Sequence, residues 1–122
     1  MNISNISIGT DIEEISRFET KDRVKDKNFL ERIYTPAELD YCFKTQNFAQ
    51  HLCARFCAKE AVTKALYSIN IKDVSYNQIE ITNREDGCPM ASISKYPDLS
   101  IKLSMSHSKG NAVASALIIC EE

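Results

Sequence analysis

A chain of 122 residues, 43% hydrophobic and 26% charged, can bury one real core but not two, and its composition excludes a disordered or fibrous protein. Its formal net charge of −2 excludes nucleic-acid binding by whole-surface attraction, while leaving room for a local basic patch. Residues 1–122 are therefore read as a single domain.

At the start, Ile3, Ile6 and Ile8 lead to Gly9-Thr10-Asp11, after which Ile12, Ile15 and Phe18 recur at helical spacing. That pattern predicts a strand, a sharp exit and a helix. Asp11 stands at the junction. With Glu14 three residues on it fits a capping box, and a carboxylate at the C-terminal end of a strand is also well placed to hold a ligand. The two roles are compatible. From Arg17 to Arg32 the chain carries six basic against four acidic side chains, the pattern of a solvated stretch with mild positive character.

Thr35-Pro36-Ala37-Glu38 supplies an N-cap, a proline at the first helical position and a carboxylate at the third, which predicts a helix running through Tyr41 and Cys42 to about Lys44. Tyr34 and Leu39 are placed to close a hydrophobic staple across its start. The polar Thr45-Gln46-Asn47 then breaks it before the next helix.

That next helix contains the most telling stretch, Arg55 to Leu66, RFCAKEAVTKAL. Glu60, Thr63 and Lys64 stand at i, i+3 and i+4, so a carboxylate, a hydroxyl and an ammonium share one face suited to phosphate and metal. The competing reading is an ordinary surface Glu–Lys pair worth about 0.3–0.5 kcal/mol. Leu52, Cys53, Phe56, Cys57, Ala58, Ala61, Val62, Ala65 and Leu66 fill nearly every other direction, as in a helix packed inside a domain. Charges there need partners, because burial without pairing is costly.

The second half turns to strands: Gln78 to Thr82, Ala91 to Ser94, Ile101 to Ser106 and Ala112 to Ile119. Arg84 to Pro89 reads as a turn in which Gly87 accommodates a positive φ, and Ser108-Lys109-Gly110-Asn111 joins the last two strands as a hairpin. The fold class is α+β, an antiparallel sheet with a long buried helix and shorter helices packed on one face.

The five cysteines, Cys42, Cys53, Cys57, Cys88 and Cys120, make neither an even disulfide framework nor a CxxC pair, and Cys53 and Cys57, one helical turn apart, read as small core fillers. Free thiols point to the cytosol. The opening MNISNISIGTD lacks a signal peptide's charged start and apolar run, and no apolar stretch is long enough for a bilayer. The expectation is a cytoplasmic protein.

In combination, IGTDIEEISRF (Ile8 to Phe18), FLERIYTPAEL (Phe29 to Leu39), ARFCAKEAVTKAL (Ala54 to Leu66), the Gly87–Pro89 turn and SMSHSKGNAVASALI (Ser104 to Ile118) resemble the holo-acyl-carrier-protein synthase family, the short bacterial type of 4′-phosphopantetheinyl transferase. Each piece alone is weak; jointly they are specific and span nearly the whole chain. The resemblance implies the 4′-phosphopantetheinyl transferase fold and transfer of the 4′-phosphopantetheine arm of coenzyme A to a serine of apo acyl carrier protein in fatty acid biosynthesis, with Mg²⁺ required and adenosine 3′,5′-bisphosphate released. It implies Asp11 and Glu60 as metal ligands, chemistry that suits an ion bound through one or two carboxylates.

It further implies Lys64 on the coenzyme A phosphates with Lys59 and Thr63 assisting, His107 and Ser108 near the phosphate and ribose, and Gly87 and Pro89 at the adenine pocket. Asp86 stands where family members often carry Asn, which makes this loop the part that departs from the pattern. Glu60 or Asp11 is the base that takes the serine proton; the sequence does not choose between them. Arg17, with Lys21, Arg23 and Lys25, corresponds to the docking region for an acidic carrier protein on the first helix. The short type is typically a homotrimer with sites between subunits, and Arg55 fits either a site or an interface. Two alternatives stay open: the same chemistry on a polyketide or peptide-synthetase carrier, and a non-catalytic module that binds a carrier protein or a nucleotide.

Overall fold

The computed structural model describes residues 5–120. The chain runs β1 (Ile6–Glu14), a 3-10 turn (Ile15–Phe18), α1 (Lys27–Ile33), α2 (Pro36–Phe43), α3 (Phe48–Ser68), a 3-10 turn (Tyr76–Gln78), β2 (Glu80–Asn83), β3 (Pro89–Ser92), β4 (Ser100–His107) and β5 (Asn111–Ile119). β1, β5 and β4 form an antiparallel sheet in that order, and β2 and β3 form a separate two-stranded ribbon. The α+β class and its antiparallel pairing are as expected; two sheets replace the single one.

α3 is the axis of the molecule. On one side its Cys57, Ala58, Ala61, Val62 and Ala65 pack with Ala114, Ala116 and Ile118 of β5 and with Ile79, Ile81 and Ile93. On the other, Leu52, Cys53 and Phe56 meet Phe18, Leu30, Ile33, Tyr34 and Leu39. All nine small and apolar positions singled out in the sequence are buried. Small residues on both surfaces let helix and sheet approach closely. At Gly9 the approach is so tight that a Cβ would lie 2.0 Å from the Ala61 carbonyl oxygen and 2.8 Å from the Ala65 nitrogen. Glycine is therefore required there by proximity, not by a turn.

This corrects the expected sharp exit at Gly9-Thr10-Asp11. β1 continues to Glu14 because it pairs along its full length with β5, from Ile6 opposite Ile119 to Glu14 opposite Asn111. Nine residues of ladder outweigh the helical spacing of Ile12, Ile15 and Phe18, of which only a 3-10 turn survives, burying Ile15 and Phe18. Asp11 lies mid-strand opposite Ala114, so it caps no helix, and the Asp11–Glu14 capping box does not form. Ile3 falls outside the described residues. Ser7 is buried, whereas Ile8 and Ile12 are 71% and 62% exposed: the isoleucines of β1 point away from α3.

The α2 start is as predicted. Thr35 accepts from the Glu38 N–H and Glu38 accepts from the Thr35 N–H, with Pro36 at the first turn, and Tyr34 and Leu39 share the same buried cluster. Gly87 takes φ +87 in the β2–β3 turn, and the Ser108 N–H donates to the Asn111 carbonyl to close the β4–β5 hairpin. Gln78 belongs to the second 3-10 turn, and β3 begins at Pro89, two residues before the predicted strand. All five cysteines are free.

Candidate active site

β1 and α3 bring Asp11, Glu60 and Lys64 into one place. Alternation along β1 turns Asp11 and Glu13 toward the helix with Ser7 and Gly9, and the helical repeat puts Glu60 and Lys64 one turn apart. Lys64 Nζ donates to the Thr10 carbonyl at 2.9 Å and to Asp11 Oδ1 at 3.2 Å. Asp11 Oδ2 is buried and has no partner among the described residues. An aspartate oxygen aimed inward without a donor is set up to receive a cation or a hydrogen bond from a ligand.

Tyr76, from the loop before β2, completes the cluster by donating its phenol hydrogen to Glu60 Oε1. Burial, then the bond to Glu60 and the charge of Asp11, push its pKa well above the ordinary value, so the hydroxyl stays a donor. Beside it, Glu13 is shifted upward by burial and by the neighbouring Asp11 carboxylate, with Arg17 opposing. No group of three or more His, Cys, Asp or Glu among the described residues makes a ready metal cage. The donor set still suits Mg²⁺, which takes few protein carboxylates and leaves its other positions to phosphate and water.

A second hollow, about 290 Å³, is lined by Tyr41, Gln50, His51, Arg55, Asn83, Gly87, Pro89 and His107, among others. It unites three of the expected nucleotide residues, Gly87, Pro89 and His107, with Arg55, whose place the sequence left open. Arg55 is 3% exposed, its guanidinium lies 4.1 Å from the Tyr41 ring centroid, and Nη2 donates to Asn83 Oδ1 at 2.7 Å. The Gln50 side-chain amide meets His107 Nε2 at 3.0 Å. His51 is shifted below its ordinary pKa by burial, then by the charges of Arg55 and His107.

Other expected residues lie elsewhere. Lys59 is a correction: it is 0% exposed and donates to Glu38 Oε1 at 2.7 Å, to the Tyr76 carbonyl at 2.9 Å and to the Ile79 carbonyl. Three internal acceptors use all three of its hydrogens, so it holds the core together and leaves none for a phosphate. Thr63 donates its hydroxyl to the Lys59 carbonyl at 2.8 Å, an ordinary helix back-bond. Ser108 is exposed in the β4–β5 turn, beside His107.

Of the basic residues only Arg17 lies on the first helical stretch, the 3-10 turn Ile15–Phe18; Lys21, Arg23 and Lys25 fall between it and α1. Arg17 pairs with Glu13 and Arg23 with Asp40, while Lys21 lies 4.4 Å from the Phe29 ring centroid. Arg17 also lies 5.4 Å from the Phe56 ring centroid, and Phe56 packs edge-on against Tyr76, so this end of the basic stretch adjoins the Glu60 cluster. Sequence reasoning missed Tyr76, Asn83 and Gln50, for which no motif or periodicity offers a signal. Glu13 was within reach: read as strand, Asp11 and Glu13 share a face.

Residues 7–117 match the family model described as the 4′-phosphopantetheinyl transferase superfamily. The holo-[acyl-carrier-protein] synthase of Chlorobaculum parvum is 36% identical over 115 residues, covering 93% of this chain and 97% of that protein. Among solved structures, a holo-(acyl-carrier-protein) synthase from Bacillus anthracis in complex with CoA (3′,5′-ADP) is 33% identical at a TM-score of 0.79, covering 94% of this chain and 96% of that one. The Helicobacter pylori holo-[acyl-carrier-protein] synthase in complex with coenzyme A is 33% identical at 0.76, covering 91% and 98%.

Proposed function

Because the chain belongs to the holo-[acyl-carrier-protein] synthase family of the 4′-phosphopantetheinyl transferase superfamily, we propose that it transfers the 4′-phosphopantetheine group of coenzyme A to a serine of an apo acyl carrier protein for fatty acid biosynthesis. The observation that carries this reading is the meeting of Asp11, Glu60 and Lys64 where β1 crosses α3. Asp11 and Glu60 would hold Mg²⁺, for which the unpartnered Asp11 Oδ2 is the natural first donor. Bound there, the ion supplies charge neutralisation at the pyrophosphate being cleaved.

The chain's own residues do the rest. Lys64, anchored on the Thr10 carbonyl and Asp11, offers its remaining N–H to a phosphate oxygen. Tyr76 fixes one oxygen of Glu60 and leaves the other free to accept the proton of the incoming serine hydroxyl. Asp11 likewise has one oxygen engaged, by Lys64, and one unpartnered among the described residues, so hydrogen bonding leaves either carboxylate as the base. Arg55, His107, Gly87 and Pro89 line the hollow that takes the nucleotide end, and Ser108 follows His107 in the exposed β4–β5 turn. Half-buried Lys21, exposed Lys25 and the Arg17 turn offer cations to an acidic carrier, an attraction that weakens with salt.

The whole chain acts as one catalytic domain whose active form is a homotrimer. Ile6, Ile8 and Ile12 of β1 and Val113 of β5 stand exposed on one sheet face, beside a hollow of about 650 Å³ lined by Ile8, Thr10, Lys64, Lys102 and Leu117. An apolar sheet face of this kind is what a second copy covers. Five free thiols suit the cytoplasm, and no helix of the described residues is long and apolar enough to cross a membrane. The test is a mass measurement on apo acyl carrier protein incubated with the purified protein, coenzyme A and Mg²⁺, with and without EDTA. A gain equal to the phosphopantetheine arm, lost with EDTA, is expected. Carrier or coenzyme A binding without that gain would make this a non-catalytic module, and faster modification of a polyketide or peptide-synthetase carrier would change the customer.

A further inference from the structure

We propose that Asn83 is a positioning residue for the nucleotide end of coenzyme A, locking the Gly87 turn and the Arg55 guanidinium into one fixed relation. The inference rests on reading the hollow lined by Arg55, Gly87 and His107 as the nucleotide site.

Asn83 ends β2, opposite Pro89 across the β2–β3 ribbon. Its amide works in both directions: Oδ1 accepts from Arg55 Nη2 at 2.7 Å and Nδ2 donates to the Gly87 carbonyl at 3.1 Å. Arg55 comes from α3, so a single side chain ties the rigid helix to an exposed turn. The other described hydrogen bonds of that turn, Arg84 N–H to the Cys88 carbonyl, Gly87 N–H to the Arg84 carbonyl and the contacts of Asp86, are local to it. They shape the turn without fixing where it sits.

On the helix side, the Tyr41 ring centroid lies 4.1 Å from the guanidinium carbon, a contact without the direction of a hydrogen bond. Arg55 Nε is buried with no partner among the described residues, so Asn83 supplies the bond that orients the group. The requirement is for an amide, since only a side chain with one acceptor and one donor satisfies both neighbours at once. Aspartate would keep the bond to Arg55 and set a second acceptor against the Gly87 carbonyl. Asn83 is itself exposed and fills no core, so its removal should leave the fold intact.

The test titrates adenosine 3′,5′-bisphosphate into full-length wild type, Asn83→Ala and Asn83→Asp by calorimetry, alongside steady-state transfer to apo carrier protein. Asn83→Ala is expected to raise the Kd about five- to tenfold, the loss of one or two hydrogen bonds' worth of ordering. KM for coenzyme A should rise in step while kcat, carrier KM and melting midpoint stay put. Asn83→Asp should bind at least as weakly. Wild-type affinity in both variants, or a fall in kcat with KM unmoved, overturns the proposal. If wild type itself binds no nucleotide, the reading of the hollow falls and this inference with it; if wild type binds and the variants bind equally, only the inference falls.

Discussion

Lys59 Nζ lies 2.7 Å from Glu38 Oε1 with both side chains sealed from water, and the pair fastens α2, α3 and β2 to one another. Glu38 uses Oε1 for Lys59 and the Thr35 N–H, and Oε2 for the Ile81 N–H. Burial pulls the Lys59 pKa down, and Glu38 pushes it back. A fully bonded pair is tolerated in a core; half of one is not. Lys59→Ala or Glu38→Ala should therefore each cost about 3–5 kcal/mol. The double variant, Glu38→Ala with Lys59→Ala, should cost clearly less than the two single losses added. Urea midpoints of the three variants measure this, and strict additivity would mean the two groups are not a unit.

Gly9→Ala tests the contact on which the catalytic geometry rests. The new Cβ would meet backbone atoms of Ala61 and Ala65, which cannot rotate aside, so β1 must lift from α3 and carry Asp11 away from Lys64. We expect a loss of roughly 1–3 kcal/mol, the cost of overpacking, together with a fall in transfer rate larger than the melting shift would give. A fully active, wild-type-stable Gly9→Ala would refute the close approach.

What the sequence revealed and what it hid follow one physical division. The α2 capping box, the Gly87 turn and the β4–β5 hairpin are local, set by residues within a few positions of one another, and were legible. The length of β1 was not, because a strand's end is decided by the partner it finds, here β5 a hundred residues away. Lys59 was misread for the same reason. On the helix it neighbours Glu60 and Thr63, yet its acceptors are Glu38, the Tyr76 carbonyl and the Ile79 carbonyl, all contributed by distant chain. Glu60 and Lys64 stood out by helical spacing and Asp11 by its place on the first strand, with the family's pattern joining them; the Tyr76 hydroxyl on Glu60 has no counterpart in spacing or periodicity.

Asp11→Asn and Glu60→Gln keep shape and remove one negative charge each. Transfer should fall about a hundredfold or more in either, the scale of losing one electrostatic contact at a reacting phosphate. The melting midpoint should hold or rise, since Asp11 Oδ2 has no internal partner to lose. Mass-shift rates across a Mg²⁺ titration provide the check: a rate restored by raised Mg²⁺ marks a ligand for the ion, and a wild-type rate at every concentration would remove that residue from the site.

His51 makes part of the stability depend on pH. Burial, then Arg55 and His107, lower its pKa in the folded state below the ordinary 6.5, so the unfolded chain binds the proton more readily. Stability from this group is thus fully present above about pH 6.5 and is lost as pH falls from there through the folded-state pKa. His51→Phe preserves a ring against Tyr41, with which His51 now packs edge-on at 5.4 Å, and removes the titration. Urea midpoints between about pH 5 and 8 should fall less steeply toward acid in the variant than in wild type. Parallel curves would place the acid sensitivity on other groups.

The outward face of β1 supplies the last prediction. Ile8 and Ile12 expose 71% and 62% of their surface, and water contact on so many neighbouring apolar side chains is unfavourable by about 25 cal/mol per Å². If copies of the chain meet there, Ile8→Lys buries a charge in the interface and should shift the particle from trimer to monomer in light scattering, with little change in the folded spectrum. Lys64 also borders this hollow, so dissociation should cost transfer activity as well as mass. An Ile8→Lys protein with unaltered mass would mean that subunits meet elsewhere, and a monomeric wild type with full activity would mean that each chain's cleft is complete by itself.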